Sequence, residues 1–168
     1  IALVRQAVRD PLTGICSRRS GEEVLELQFI ISTRSNAPLA IAFLDLDNFK
    51  AVNDRYGHEA GDSVLVGATD SISNNLRRGD MLARWGGEEF ILIMPNTDLE
   101  QAQQAMRRMR QAGFGLRPDG SPVTASIGIA ERLEDQTLDW KTLVEKADQR
   151  MYRAKQSGRD RVVCDDTV

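Results

Sequence analysis

The feature that most constrains this chain is a pair of adjacent glycines, Gly86-Gly87, between two short apolar segments. Such a pair predicts a tight hairpin turn, because glycine reaches positive φ without steric cost. Two carboxylates, Glu88 and Glu89, follow where the second strand is expected to begin. A carboxylate fixed at a hairpin corner suits metal binding or general-base chemistry. A solvated charge at a sheet edge is the alternative interpretation.

The composition is that of one globular domain. The chain has 168 residues, 41% hydrophobic and 28% charged, which is enough for a substantial core. The net charge of -3 argues against a nucleic-acid polymer as partner, because such partners favour a basic face. Cys16 and Cys164 lack metal-type spacing and fit a reducing compartment. No apolar run approaches the roughly 20 residues that span a bilayer, so we expect a cytoplasmic domain.

The hydrophobic periodicity predicts an α+β chain. Helices are expected at 22–34, 60–76, 99–112 and 138–156, and strands at 39–46, 81–85, 90–94, 123–130 and 161–164. Residues 47–55 are expected to form a turn or a single helical turn. The β-α-β-β-α-β core of this order is the split βαβ plan of a ferredoxin-like fold, a mostly antiparallel sheet with its helices on one face.

The domain is expected to cover residues 10–168. Residues 1–9 have the spacing of the end of an incoming helix. Because the chain begins with Ile1, we expect it to come from a longer protein. The missing N-terminal part would then hold a sensory or dimerising region, and a membrane anchor could lie there.

Asp45 interrupts the apolar run of the first predicted strand. An unpaired buried carboxylate is costly, so Asp45 should be paired or bind a metal, and helix capping is the alternative. In the split βαβ plan the first strand lies beside the strand after the hairpin, which directs Asp45 and Glu88 toward one site. Two carboxylates with backbone carbonyls between them suit Mg²⁺ and leave positions for phosphate oxygens. Such a site serves in-line attack at phosphorus.

The segment after Asp45 offers polar groups that could read a nucleotide. Lys50 is a candidate phosphate contact. The carboxylate of Asp62 could accept from guanine N1-H and N2-H, and the amide of Asn53 could donate to O6 or N7. His58, the only histidine, has the alternative role of a structural residue near a helix start.

Two further pairs of charged residues have both a structural and a functional interpretation. Lys155 and Arg159 follow the last predicted helix at a spacing of four, where they either complement the helix dipole or hold a triphosphate. Arg77 and Asp80 precede the hairpin. There an arginine can address guanine O6 and N7 bidentately, and a surface ion pair at a helix end is the alternative.

These motifs together resemble the GGDEF-domain diguanylate cyclases. The stretch Gly86-Gly87-Glu88-Glu89-Phe90 resembles the family signature in its variant with Glu at the third position. The resemblance continues, in the same order along the chain, in residues 10–15, 45–50, 57–62, 126–130 and 148–159.

The resemblance implies condensation of two GTP molecules to cyclic di-3',5'-guanylate (cyclic di-GMP) and two pyrophosphates. It implies a palm-like fold related to nucleotidyl cyclases, a homodimer that meets face to face, and two Mg²⁺ ions per site, with Mn²⁺ as a substitute.

The resemblance also assigns residues. Asp45, Glu88 and the Leu46 carbonyl match the metal ligands, Glu88 activates the ribose 3'-hydroxyl, and Lys50 assists catalysis. The matching GTP contacts are Asn48, Phe49, Lys50, Asn53, His58, Asp62, Gly86, Gly87, Lys155 and Arg159. Arg77 and Asp80 match the inhibitory product site.

Two other functions stay open from the sequence. A catalytically silent domain would act only as a receptor for cyclic di-GMP or GTP, but then both carboxylates of the hairpin site would have no reason to persist. Intramolecular cyclisation of a single nucleotide is the third possibility. The product formed from GTP distinguishes the three.

Overall fold

The computed structural model describes residues 9–167. These residues form a five-stranded sheet with helices on both faces. The helices are α1 (Arg18–Ser35), α2 (Phe49–Tyr56), α3 (His58–Ser73), α4 (Leu99–Ala112) and α5 (Trp140–Gln156). The strands are β1 (Leu39–Leu46), β2 (Met81–Arg84), β3 (Glu89–Pro95), β4 (Ala125–Glu131) and β5 (Arg161–Val163). The helix predicted over 1–9 falls outside the described residues except for Arg9, which forms an isolated bridge with Cys16.

The sheet has the strand order β2-β3-β1-β4-β5 and is mostly antiparallel. The central strand β1 pairs antiparallel with both β3 and β4, and only β5 runs parallel to its neighbour β4. This confirms the predicted α+β class and the split βαβ order. Of the helices described, none combines the length and the apolar character that a bilayer crossing requires.

Two hydrophobic clusters cover the two faces of β1, which is buried at every position. Ala40, Ala42 and Leu44 belong to the cluster that includes α3 and α4, while Ile41 and Phe43 belong to the cluster with α1 and α5. The expectation of helices on one face was therefore wrong. An uninterrupted apolar strand needs cover on both sides, because its side chains alternate between the faces.

The segment expected to be a turn is the two-turn helix α2. It begins after Asn48, which has a left-handed conformation (φ 57°), and it buries Phe49 and Val52. These two side chains are three residues apart, so they share one helical face and contact the core together. Gly57 (φ 91°) ends α2, and α3 starts at the next residue.

Helix α5 approaches the sheet closely at Gly128 of β4. A Cβ atom there would lie 2.0 Å from the carbonyl oxygen of Ala147 and 2.3 Å from the amide nitrogen of Met151. Only glycine permits this contact. The close packing places the C-terminal turn of α5, which carries Lys155, against the end of β1.

Candidate functional site

The hairpin between β2 and β3 is built from residues 85–88. The amides of Trp85 and Gly86 both donate to the carbonyl of Glu89, at 2.8 and 3.2 Å. Neither Gly86 nor Gly87 has a positive φ, so the predicted reason for the two glycines was wrong. A Cβ atom at Gly86 would instead lie 2.6 Å from Oε1 of Glu89, whereas nothing stands within 4 Å of one at Gly87. The first glycine therefore makes room for a carboxylate, and the second leaves the turn open.

Arg84 stabilises this turn through hydrogen bonds, a role that was not predicted from the sequence. Its Nη2 donates to the carbonyl of Gly87 at 2.8 Å, and Nε donates to the carbonyls of Gly86 and Gly87. Its Nη1 lies 3.2 Å from both carboxylate oxygens of Asp10. Burial acts to raise the pKa of Asp10, but hydrogen bonds from Thr13 and the charge of Arg84 bring the pKa below its ordinary value. The only signal in the sequence is the position of Arg84 two residues before the glycines.

An acidic site forms where the end of β1 meets the start of β3. The register pairs Asp45 with Glu89, which belongs to the strand that was predicted to begin at Phe90. Glu88 precedes the strand, and its carbonyl accepts from the amide of Leu46 at 3.2 Å. The ammonium of Lys155 lies 2.7 Å from Oδ2 of Asp45. Three carboxylates and one cation are thus held by three separate elements.

The carboxylates in this site repel one another. Burial is the main cause that raises the pKa of Asp45 to about 6; the hydrogen bond and charge of Lys155 oppose it, and the charges of Glu88 and Glu89 add to it. Burial, then Asp148 and Glu88, raise the pKa of Glu89 above its ordinary value, while Lys155 and Arg18 lower it. Such crowding of like charges is relieved by a cation, and perturbed carboxylates of this kind are common at functional sites.

The donor atoms of this site suit a hard cation. Asp45, Glu88 and the backbone at Leu46 offer only oxygen ligands, the type that Mg²⁺ and Mn²⁺ take in proteins. Within residues 9–167, no group of three acidic, histidine or cysteine side chains stands ready to bind a metal. Two carboxylates and a backbone carbonyl would leave the remaining positions of such a cation to phosphate oxygens or water.

A pocket of about 420 Å³ opens beside the hairpin. The predicted residues that line it are Phe49, Lys50, Asn53, His58, Asp62, Gly87 and Glu88, and Leu65 and Arg84 complete the wall. His58, Asp62 and Leu65 are spaced by four and three residues on α3, so they share one helical face. The structure thus brings most of the predicted GTP contacts into one cavity. Asn48, Gly86, Lys155 and Arg159 are not part of its wall.

The amide oxygen of Asn53 is unsatisfied. Its Oδ1 is buried and accepts no hydrogen bond from any residue between 9 and 167. A Cβ atom on Gly61 would lie only 1.8 Å from this oxygen, so glycine is needed there to admit the amide. A buried acceptor without a partner is costly, and only a hydrogen-bond donor that reaches this oxygen would remove that cost. The amide nitrogen of Asn53 is a separate group that can donate to a ligand.

The acidic site and the pocket lie on opposite faces of the sheet and meet at Glu88. Asp45 continues the alternation of Ile41 and Phe43, which places it on the side of α5 and Lys155. Phe49 and Leu65, from the pocket wall, belong to the cluster on the other side. Glu88 lines the pocket and also raises the pKa of Asp45. A ligand in the pocket can therefore extend past the hairpin corner to the acidic site.

The predicted phosphate contacts stand around this corner. Lys50 and Asn48 are exposed at the start of α2. Arg159 follows α5 with a left-handed backbone (φ 64°), and its side chain forms no hydrogen bond or ion pair with the residues that the structure describes. Two of the predicted cations, Lys50 and Arg159, thus remain free to contact an anion.

Arg77 and Asp80 form a separate turn before β2. The amide of Arg77 donates to Oδ2 of Asp80 at 3.0 Å, and Gly79 has φ 95°. Burial raises the pKa of Asp80, while Arg77 and Arg108 act to lower it. Arg108, on α4, was not predicted as part of this site, but its charge acts on Asp80 from a separate element. The turn does not contribute to the wall of the pocket.

Fold and site define an α+β domain with a carboxylate site at a hairpin corner beside a polar pocket. The family described as "Diguanylate cyclase, GGDEF domain" matches residues 7–161. Diguanylate cyclase DgcP of Pseudomonas aeruginosa is 38% identical over 162 residues, which cover 94% of this chain and 24% of DgcP. The chain therefore belongs to the GGDEF-domain family of diguanylate cyclases, and it spans about a quarter of the length of that relative.

Solved structures agree in fold. Diguanylate cyclase SiaD of Pseudomonas aeruginosa, solved with its activator SiaC, matches with a TM-score of 0.87 and 39% identity, over 98% of this chain and 64% of SiaD. The GGDEF domain of DgcB from Caulobacter crescentus, solved with cyclic di-GMP, matches with a TM-score of 0.85 and 28% identity, over 95% of this chain and 96% of that domain.

Proposed function

We propose that this domain condenses two GTP molecules to cyclic di-GMP with release of two pyrophosphates. The observation that carries the proposal is the pocket containing Asn53 and Asp62, which opens at Glu88 beside Asp45. The pocket could hold a guanine nucleotide with its base between α2 and α3 and its phosphates at the acidic site. The family to which the chain belongs supports the same chemistry.

Guanine recognition is assigned to Asn53 and Asp62. The exposed carboxylate of Asp62 accepts from guanine N1-H and N2-H, and the amide nitrogen of Asn53 donates to O6 or N7 of the base. Adenine offers no donor at N1, so Asp62 would be left without its partner. We therefore expect the site to favour guanine over adenine.

Glu88 is the proposed base, and Lys50, Lys155 and Arg159 are the proposed phosphate contacts. Glu88 takes the proton of the ribose 3'-hydroxyl as the new bond from O3' to the α-phosphorus forms and the bond to pyrophosphate breaks. Mg²⁺ or Mn²⁺ held by Asp45, Glu88 and the Leu46 carbonyl would neutralise phosphate charge and lower the pKa of the hydroxyl. The three cations hold the triphosphate and support the leaving pyrophosphate.

Two copies of the domain are needed for one product. The described chain has a single pocket with these guanine-reading groups, so each copy supplies one GTP. Two domains that meet face to face bring each 3'-hydroxyl to the α-phosphorus of the other nucleotide. We expect the isolated domain to be slow for this reason, and a fused dimerising segment to raise its activity.

The experiment is product identification by chromatography after incubation of a dimerised protein with GTP and Mg²⁺. The proposal requires cyclic di-GMP with two pyrophosphates per product molecule. A cyclic mononucleotide would show intramolecular cyclisation instead. Unchanged GTP together with tight cyclic di-GMP binding would identify a receptor.

Regulation by product is a second proposal for the turn at Arg77 and Asp80. The Arg77 guanidinium forms no hydrogen bond or ion pair with the described residues, and Arg108 adds a second cation near Asp80. Two arginines and a carboxylate can read guanine and phosphate together. Because this turn is separate from the pocket, cyclic di-GMP could bind there while GTP occupies the active site.

A further inference from the structure

Asp47 lies two residues after Asp45 and is buried, with 3% of its surface exposed. Its Oδ1 accepts from the hydroxyl of Ser126 at 2.6 Å. Its Oδ2 accepts from the hydroxyl of Thr124 at 2.7 Å and from the backbone amide of Asp160 at 2.9 Å. Both oxygens of this buried carboxylate thus accept hydrogen bonds from the protein itself, as buried charged groups require.

The bond to Asp160 fixes an unusual piece of backbone. Arg159 and Asp160 are both left-handed, with φ 64° and 46°, although neither is glycine. Consecutive side-chain-bearing residues hold this conformation only where neighbours determine it. The amide of Arg159 donates to the carbonyl of Ala154 at 2.9 Å, and Arg110 donates to the carbonyl of Asp160 at 2.8 Å. Asp47 is the buried member of this set of contacts.

We propose that Asp47 is a positioning residue that holds the loop of Arg159 at the acidic site. The carboxylate connects the end of β1, which carries Asp45, to the loop that carries Arg159, so the metal site and the phosphate contact share one support. The inference rests on the proposed function insofar as Arg159 contacts the GTP phosphates. The competing view is that Asp47 only stabilises the fold.

Asp47→Ala and Asp47→Asn separate the two views. Alanine frees the amide of Asp160 and lets the loop move. Asparagine keeps an acceptor for Asp160 and Thr124 and can donate to Ser126 from its amide, so it preserves the loop. Thr124→Val is the matched control, because it removes another donor to the same carboxylate oxygen and leaves the bond to Asp160 in place.

The measurements are the dissociation constant of a non-hydrolysable GTP analogue, and KM and kcat for GTP. We expect Asp47→Ala to weaken analogue binding and raise KM at least tenfold, with Asp47→Asn and Thr124→Val within threefold of wild type. In a double-mutant cycle, Asp47→Ala should add less than twofold to the effect of Arg159→Ala, because both remove the same contact.

Three results would overturn the inference. One is a folded Asp47→Ala with unchanged binding and a lowered melting temperature. Another is a double variant in which the effects of Asp47→Ala and Arg159→Ala on analogue binding multiply. The third is a tenfold loss in Asp47→Asn, which we expect to fold even where alanine does not. Because analogue binding is measured without turnover, a wild-type protein that makes no cyclic di-GMP would refute the proposed function without deciding this inference.

Discussion

The ammonium of Lys155 lies 2.7 Å from Oδ2 of Asp45 and links the last turn of α5 to the end of β1. Asp45 is otherwise surrounded by acidic charge from Glu88 and Glu89. The pair therefore stabilises the carboxylate in the absence of a cation from solution. We propose that the same lysine turns from Asp45 to a phosphate when a metal and a nucleotide bind.

The raised pKa of Asp45 predicts a stability difference in Asp45→Asn. The folded protein holds the proton to about pH 6 and the unfolded chain only to about its ordinary pKa of 3.8. Ionisation therefore destabilises the fold, and this penalty develops between about pH 4 and pH 6 and stays constant above. Without metal, at pH 7.5, we expect Asp45→Asn to be more stable than wild type by about 1 to 2 kcal/mol. Urea unfolding with a chelator measures it.

Exposed Asp54 provides the control for this comparison. At pH 7.5, Asp54→Asn should stay within about 0.5 kcal/mol of wild type, as surface substitutions usually do. An Asp45→Asn protein less stable than wild type at pH 7.5 would show that the ion pair with Lys155 outweighs the burial and the acidic neighbours.

A substitution at Gly61, which does not itself contact the ligand, is predicted to impair nucleotide binding by displacing Asn53. Alanine there would place a Cβ atom 1.8 Å from Oδ1 of Asn53 and force the amide to move. We expect Gly61→Ala to raise the dissociation constant for GTP at least tenfold, since the loss of one buried hydrogen-bonding group costs about 1 to 3 kcal/mol. Calorimetric titration with GTP measures it.

Gly67 lies on the same helix and gives a matched control, because nothing stands within 4 Å of a Cβ atom there. Gly67→Ala should bind GTP as wild type does and gain up to about 1 kcal/mol of stability from helix propensity. Equal GTP affinities in both variants would contradict the placement of Asn53 against the base.

Substitution of Arg77 is predicted to weaken cyclic di-GMP binding and to leave GTP binding intact. Replacing it with alanine removes a guanidinium that can bond a guanine edge bidentately, a contact worth about 1 to 3 kcal/mol. We expect Arg77→Ala to weaken cyclic di-GMP binding at least tenfold by calorimetry. Arg78→Ala, an exposed neighbour, should stay within twofold of wild type. Equal affinities for all three proteins would remove the inhibitory-site proposal.

The regular elements with strong apolar patterns could be predicted from the sequence. The strand at 39–46 and the helix at 99–112 have the predicted bounds. The unbroken apolar run of the first indicates a buried strand, and the regular apolar stripe of the second indicates a helix. The residues of the pocket were predicted only from the resemblance of their motifs to a known family. Asn53 and Glu88 come from different elements, and no local sequence pattern indicates that they lie close together.

What the sequence did not reveal depends on contacts between distant segments. Arg84 donates to carbonyls of the turn and to Asp10, and backbone carbonyls leave no mark on side-chain patterning. The role of Asp47 could not be predicted, because its partners Ser126 and Asp160 lie 79 and 113 residues further along the chain. The length of α2 was underestimated because its two buried side chains give too short a pattern to distinguish a helix from a turn.

The central claim is that Glu88 belongs to a catalytic carboxylate site, and the most direct test is cyclic di-GMP formation by Glu88→Gln. With a dimerised protein, Mg²⁺ and saturating GTP, we predict a rate at least a thousandfold below wild type, because Gln can neither take the hydroxyl proton nor balance the charge of a metal. Glu59→Gln, an exposed neighbour of His58, should keep the wild-type rate. Full turnover by Glu88→Gln would contradict the account.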